Sequence, residues 1–166
     1  MSEIATLYDK DFVLWSEQQA EALRAAARGA SNHPIDWENV AEEIDSLARS
    51  EKRELGSQIK RIIHHLLKLE HSTARNPRRG WENSIFDARD EIDDLLDRSP
   101  SLRQEISAEI ARQAPRGARL AFRDLGKRAE VEPAIAGRIS ATTFTEDQIL
   151  GDWFPPEPGE TPRGAE

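Results

Sequence analysis

The sequence predicts an all-α protein, a four- to five-helix bundle with one long central helix. Two observations lead there. Apolar residues recur at steps of three and four along most of the chain, and no alternating strand pattern or internal repeat stands out. Hydrophobic residues are only 37% while charged residues reach 33%, a balance met by helices with a narrow apolar stripe and a charged outer face. The 166 residues suit one domain of ordinary size. The expected organisation is a helical-bundle domain over residues 1–154 and a disordered Pro/Gly-rich tail over 155–166.

The elements follow in order. Tyr8, Phe12, Trp15, Gln19, Leu23 and Ala26 share one face of a helix from about Asp9 to Arg28, stopped by Gly29. Residues 30–35 contain Ser31, Asn32 and Pro34 and read as a turn. Asp36 is placed to cap the next helix, and Glu38, Glu42 and Glu43 favour its positive end. Val40, Ile44, Leu47, Glu51, Leu55, Ile59, Ile62, Leu66 and Leu69 then continue one stripe without a proline. A single helix from Trp37 to Glu70 would be about 50 Å long. The competing reading breaks it between Ser50 and Gly56, because Glu51 falls on the stripe and Gly56 costs about 1 kcal/mol in a helix.

Residues 72–80 read as a basic loop. A helix from Trp81 to about Arg98 follows, with Ile85, Ala88, Ile92 and Leu95 inward and Asp87, Asp90, Glu91, Asp94 and Asp97 outward. Ser99-Pro100 restarts the chain in a fourth helix carrying Leu102, Ile106 and Ile110, which Pro115 is expected to end or kink. A fifth helix offers Ala118, Phe122 and Leu125. After Glu130 the pattern weakens until Thr145-Glu-Asp-Gln148, a capping box for a short helix ending near Gly151.

Several function classes are disfavoured. Cysteine is absent, which removes disulfides, thiolate metal sites and a cysteine nucleophile and suits a reducing, cytoplasmic setting. No apolar run approaches the roughly 20 residues of a membrane span, and the N-terminal residues lack a signal-peptide pattern. The net charge of −8 opposes nonspecific binding to nucleic acid or anionic membranes.

Taken together, Tyr8-Asp9-Lys10-Asp11-Phe12 with Trp15 and Gln19, Asp36-Trp37-Glu38-Asn39 with Glu42-Glu43-Ile44, and His65-Leu66-Leu67-Lys68 form an ordered set of motifs. Trp81, Ser84-Ile85, Arg89, Ser99-Pro100-Ser101-Leu102 and Gln148-Ile149-Leu150 continue it. The set resembles the domain of unknown function family twenty-nine over about residues 7–155. The resemblance implies an all-helical fold of bacterial type and no assigned activity. Ala114 before Pro115, and Ala141 to Thr143, depart from the family's usual pattern.

The leading polar site is His65, with Lys68, Trp81 and Arg89. His65 shares the face of Gln58, Ile62 and Leu69; an unperturbed histidine titrates near neutrality and can act as acid, base or ligand, whereas burial on this apolar face would lower its pKa. A two-helix hairpin with its turn near Arg75 brings it level with Ile85, so His65 is expected to pack on Trp81 or Ile85 with its polar atoms satisfied there. Lys68 and Arg89 could grip an anion beside it. The structural reading is preferred, because helical metal sites show a second ligand one turn away, whereas the residues four beyond His64 and His65 are Lys68 and Leu69. No metal or cofactor is assigned. Glu42 and Glu43 form an acidic cluster able to bind a cation, but dipole compensation with a hydrogen bond from Gln19 is the simpler reading. Arg112, Arg116, Arg119, Arg123 and Lys127 make a basic stripe that Pro115 is expected to interrupt and Asp87 to neutralise near Arg112. No glycine-rich phosphate loop or nucleophile elbow is present.

Function is therefore open at the level of sequence. The leading expectation is a cytoplasmic non-enzymatic interaction or regulatory module that meets another protein or itself, without a membrane. One alternative is a small-ligand or metal-dependent enzyme around His65. The other, less favoured by the overall charge, is a nucleic-acid-binding protein using the Arg112 to Lys127 stripe.

Overall fold

The computed structural model describes residues 3–29, 36–127 and 133–156, and all its regular elements there are helical. They are α1 (Glu3–Lys10), α2 (Phe12–Gly29), α3 (Trp37–His71), α4 (Arg78–Arg98), a 3-10 helix (Pro100–Glu105), α5 (Ile106–Gly126), α6 (Pro133–Ala141) and α7 (Glu146–Leu150). The expected turn at residues 30–35 lies outside the described residues, as does most of the expected tail, residues 157–166. Pro155, at the start of that tail, is buried rather than free. Contacts gather into two compact units, Met1–Leu55 with Asp93–Glu105, and Gly56–Ile92 with Ile106–Glu166.

In the first unit, the expected single N-terminal helix is divided at Asp11. The buried Asp11 carboxylate accepts from the backbone N–H of Leu14 at 2.9 Å, as a helix-capping side chain does. It also accepts from the backbone N–H of Ser101 at 2.6 Å and from Ser101 Oγ at 2.9 Å. Ser99 Oγ completes the clasp by accepting from the Val13 N–H at 3.2 Å. Tyr8, Phe12 and Trp15 form an aromatic cluster, with Tyr8 edge-on to Trp15 at 4.8 Å and Phe12 stacked on Trp15 at 5.9 Å.

Asp36 caps α3 through the N–H of Asn39 at 3.3 Å. The helix then continues unbroken through residues 50–56. Glu51 is an ion-paired residue, 3.5 Å from Arg98. The buried face of this half of α3 is Ala41, Ala48 and Leu55, one position round from the expected Val40 and Leu47, which are 40% and 43% exposed. Alanines can face a neighbour at close range, which turns the larger Val40 and Leu47 to the flank. Phe12, Trp15 and Ile44 are half-buried.

The second unit holds the large apolar core: Ile59, Ile62, Ile63, Leu66, Leu67 and Leu69 of α3, Ile85 and Ile92 of α4, and Ile106 and Leu125 of α5. α4 begins at Arg78, earlier than expected, because the buried Arg78 donates to Leu69 O at 2.9 Å and closes the C-terminal end of α3. α5 runs straight through Pro115 instead of ending there. Pro115 and Ala111 are both exposed, so water can take the carbonyl that the proline ring leaves unbonded. Phe122, expected in the core, is 45% exposed, because Gly117, Ala121 and Leu125 form the buried face of α5.

α3 and α5 approach closely at two glycines. A Cβ on Gly56 would collide with Glu109 Oε1, and one on Gly117 would lie 2.7 Å from Ile63 Cγ2. α6 was not expected from the sequence. α7 has the expected capping box: Thr145 Oγ1 accepts from Gln148 N at 3.2 Å, and Gln148 Oε1 accepts from Thr145 N at 2.9 Å.

Leu66 is fully buried and Leu47 is not. Leu66→Ala is expected to lower unfolding free energy by about 2–5 kcal/mol, and Leu47→Ala by less than about 1 kcal/mol. Urea denaturation of the two variants checks the assignment of the buried face.

Candidate functional site

The polar residues singled out in the middle of the chain fall on one stretch of α3. His64, His65 and Lys68 occupy successive positions in its last two turns. A carboxylate from α5, Asp124, is the acidic residue they meet. His64 Nε2 lies 3.0 Å from Asp124 Oδ2, and Lys68 Nζ lies 3.6 Å from the same oxygen. Lys68 also stands over the Trp81 ring of α4, 4.6 Å from its centroid. His65 stacks at a tilt on His64 with ring centroids 4.6 Å apart.

The electrostatics follow from burial. Burial alone would raise the Asp124 carboxyl, but attraction to His64 and Lys68 outweighs it and holds the group below its usual range. Burial, with repulsion from Lys68, lowers the His64 pKa despite Asp124. Asp124 is thus an ionised acceptor, and neutral His64 must carry its proton on Nε2 to donate to it. His65 is pushed down to about 3, first by burial and then by His64, Lys68 and Arg61.

Its surroundings correct one expectation. His65 Nδ1 is buried without a hydrogen-bond partner among the described residues, so the polar atoms of this ring are not all satisfied on α4. The unmet nitrogen costs much less on a neutral ring than a buried charge would, and burial keeps this ring neutral.

Arg89 is not part of this group. Its Nε donates to Ile149 O, and its Nη2 to Gln148 O and Trp153 O, each at 2.9 Å. Its guanidinium lies 4.9 Å from the centroid of the Phe154 ring. Arg89 therefore holds the C-terminal segment, while Lys68 meets Asp124 and Trp81. A buried arginine had to find carbonyls or a carboxylate, but no local pattern points to a segment 60 residues away.

At the acidic cluster, Glu42 meets Arg49 at 2.6 Å and Arg24 at 3.5 Å, and Asp45 meets Arg49 at 2.8 Å and Arg24 at 3.4 Å. The link from α2 is made by Arg24, not by Gln19. The Glu43 side chain is exposed. Among the described residues no three His, Asp or Glu side chains gather as metal ligands, and no described helix is long and apolar enough to cross a membrane.

Sequence reasoning missed Asp124. Its signal was its position three residues after Ala121 and seven after Gly117, on the buried face of α5. An imidazole held by a carboxylate is the base-and-orienter half of an acid–base device. Here, however, the nitrogen bonded to the carboxylate is Nε2, and among the described residues no hydroxyl is bonded to the ring. The arrangement ties α3 to α5 in the manner of a structural hydrogen-bonded pair.

These features define an all-helical protein whose internal polar contacts hold helices and chain segments together. The chain matches the model described as "Domain of unknown function DUF29" over residues 7–154, and it belongs to that family. A solved α-helical protein of unknown function from Rhodospirillum rubrum is similar, with 28% identity, a TM-score of 0.72, and coverage of 87% of this chain and 89% of that one. A comparison with curated proteins gave no match.

The histidine pKa values fix a sign for pH dependence. Between about 6.5 and about 3 the unfolded chain binds a proton at His65 and the folded chain does not. Stability from this residue is full above about pH 6.5 and falls as the pH drops through that window. His65→Gln is expected to lose less stability than wild type between about pH 7.5 and about pH 4.5. Equal losses in denaturation midpoint would show that His65 is not the titrating group.

Proposed function

We propose that the chain is a non-enzymatic helical interaction module and that the exposed face of α5 docks an acidic segment of another protein. The observation that carries this reading is the row Arg112, Arg116, Arg119 and Arg123 along α5, with Lys127 one residue past its end, all exposed, on a helix that Pro115 does not break. The row spans roughly 22 Å. Arg112 is paired with Glu109 at 2.7 Å and Arg123 lies 3.6 Å from Asp124. Arg116, Arg119 and Lys127 have no ion pair among the described residues. The expected neutralisation of Arg112 by Asp87 is replaced by the local Glu109 pair.

Beside the row lies an open cavity of about 340 Å³ lined by Pro115, Ala118, Arg119, Phe122 and Ser140. Apolar walls next to a row of cations suit an acidic segment carrying one aliphatic or aromatic anchor. Such a patch on a chain of net charge −8 orients an acidic partner, because the rest of the surface repels it. A cytoplasmic setting belongs to the same proposal and is supported by the absence of cysteine; a bacterial source is supported by the Rhodospirillum rubrum relative.

The test uses a synthetic acidic helical peptide with a single Leu or Phe anchor, titrated into the full chain and followed by NMR. Shifts are expected at Arg116, Arg119 and Phe122. The double variant Arg119→Glu, Arg123→Glu is expected to weaken binding by about tenfold or more, with an unchanged helical circular dichroism signal. Shifts confined to other surfaces would reject the docking face. Oligonucleotide binding that falls steeply with salt would replace the protein partner with nucleic acid.

A further inference from the structure

We propose that the cleft formed by Lys60 of α3 with Arg116 and Arg119 of α5 is a binding site for the phosphate groups of a small, multiply charged anion. The cleft has a volume of about 260 Å³ and is lined by these three cations and Leu120. No carboxylate lines it among the described residues, and none of the three cations has an ion pair there. The sequence explains how this arises. Around Lys60, the residues three and four away are Gly56, Ser57, Ile63 and His64. Around Arg116 they are Arg112, Gln113, Arg119 and Leu120; around Arg119 they are Pro115, Arg116, Phe122 and Arg123. An acidic residue one turn away on the same helix would pair with such a cation, and here not one of those positions is acidic, in a chain with 31 acidic residues against 23 basic.

Lys60 is half-buried, and Arg116 and Arg119 are exposed, so three like charges line one open cleft and repel one another across it. An anion in the cleft offsets that repulsion. Guanidinium groups present paired donors that match phosphate oxygens, and the lysine adds a point charge. Among the described residues the polar partner of Arg116 is Gln113 Oε1 at a long 3.5 Å, which leaves donors of its guanidinium available. The cleft is also pre-formed. Its two walls are held at short range by the contacts at Gly56 and Gly117, so little ordering is needed on binding. Its size lies below the roughly 300–1,000 Å³ of pockets that enclose organic molecules, which favours a diphosphate-sized group with any organic portion outside. Binding here does not depend on the docking of an acidic partner, but Arg116 and Arg119 are common to both, so a bound anion would compete with that partner.

The experiment titrates pyrophosphate into the full chain by calorimetry and phosphorus NMR at constant ionic strength. One bound pyrophosphate per chain is expected. Lys60→Gln and Arg119→Gln should each weaken it by about tenfold or more, whereas Arg112→Gln and Lys127→Gln, on the same row but outside the cleft, should change it by less than about threefold. Circular dichroism melts confirm that each variant is folded. In a parallel arm, vesicles containing phosphatidic acid should not sediment the protein. The proposal is overturned by no binding at millimolar pyrophosphate, by an equal loss in all four variants, or by vesicle binding without binding of free pyrophosphate. Acidic-peptide docking that persists when pyrophosphate fails to bind would reject this cleft while leaving the docking face in place.

Discussion

The close approach of α3 and α5 is the constraint on which the second unit depends. Gly56 lies against Glu109 and Gln113, and Gly117 against Ile63 and His64. Both contacts, and the His64–Asp124 bond further along, advance in the same direction on the two helices, so α3 and α5 run parallel here with a fixed register. A side chain at either glycine would displace atoms on the other helix. With the register set, Asp124 falls opposite His64 and Lys68, and Lys60 falls level with Arg116 and Arg119. The inner polar network and the outer basic cleft are two consequences of one packing decision.

Charged side chains also do work that a richer apolar composition would leave to the core. Arg89 gathers three carbonyl oxygens from the segment around α7, a stretch too short to hold itself by burial alone. In the first unit, Asp11 does the corresponding task for the turn at Ser101. Both use hydrogen bonds between an ionised side chain and backbone groups, which are stronger than neutral ones. Losing either leaves buried backbone donors or acceptors without partners, a larger effect than the loss of one surface ion pair.

What could be read from the sequence was local. The all-helical class, the length of α3, the Asp36 cap and the Thr145–Gln148 box depend on residues within one or two turns of each other. The misread positions are those where a distant element decides. Gly56 looks like a helix breaker until Glu109 is packed against it, and Pro115 looks like a stop until its face is seen to be solvated. Val40 and Leu47 satisfy the three-and-four spacing as well as Ala41 and Ala48 do, and only the neighbouring helix chooses between the two faces. Of the candidate site, Lys68 and Trp81 do meet, whereas Arg89 is claimed by carbonyls 59 to 64 residues later, which no periodicity encodes.

Paired and unpaired charge are distributed unevenly about the α3–α5 pair. Inside the α3–α5 pair the ionic groups are matched: Asp124 takes His64 and Lys68, and Glu109 takes Arg112 and Gln113. The histidine that lies nearest to catalytic chemistry is neutral and engaged. On the outer side of the same helices, Lys60, Arg116 and Arg119 stand together without a carboxylate. The matched pairs thus lie between the two helices and the unmatched cations face outward, a division of charge that follows from the register of α3 and α5.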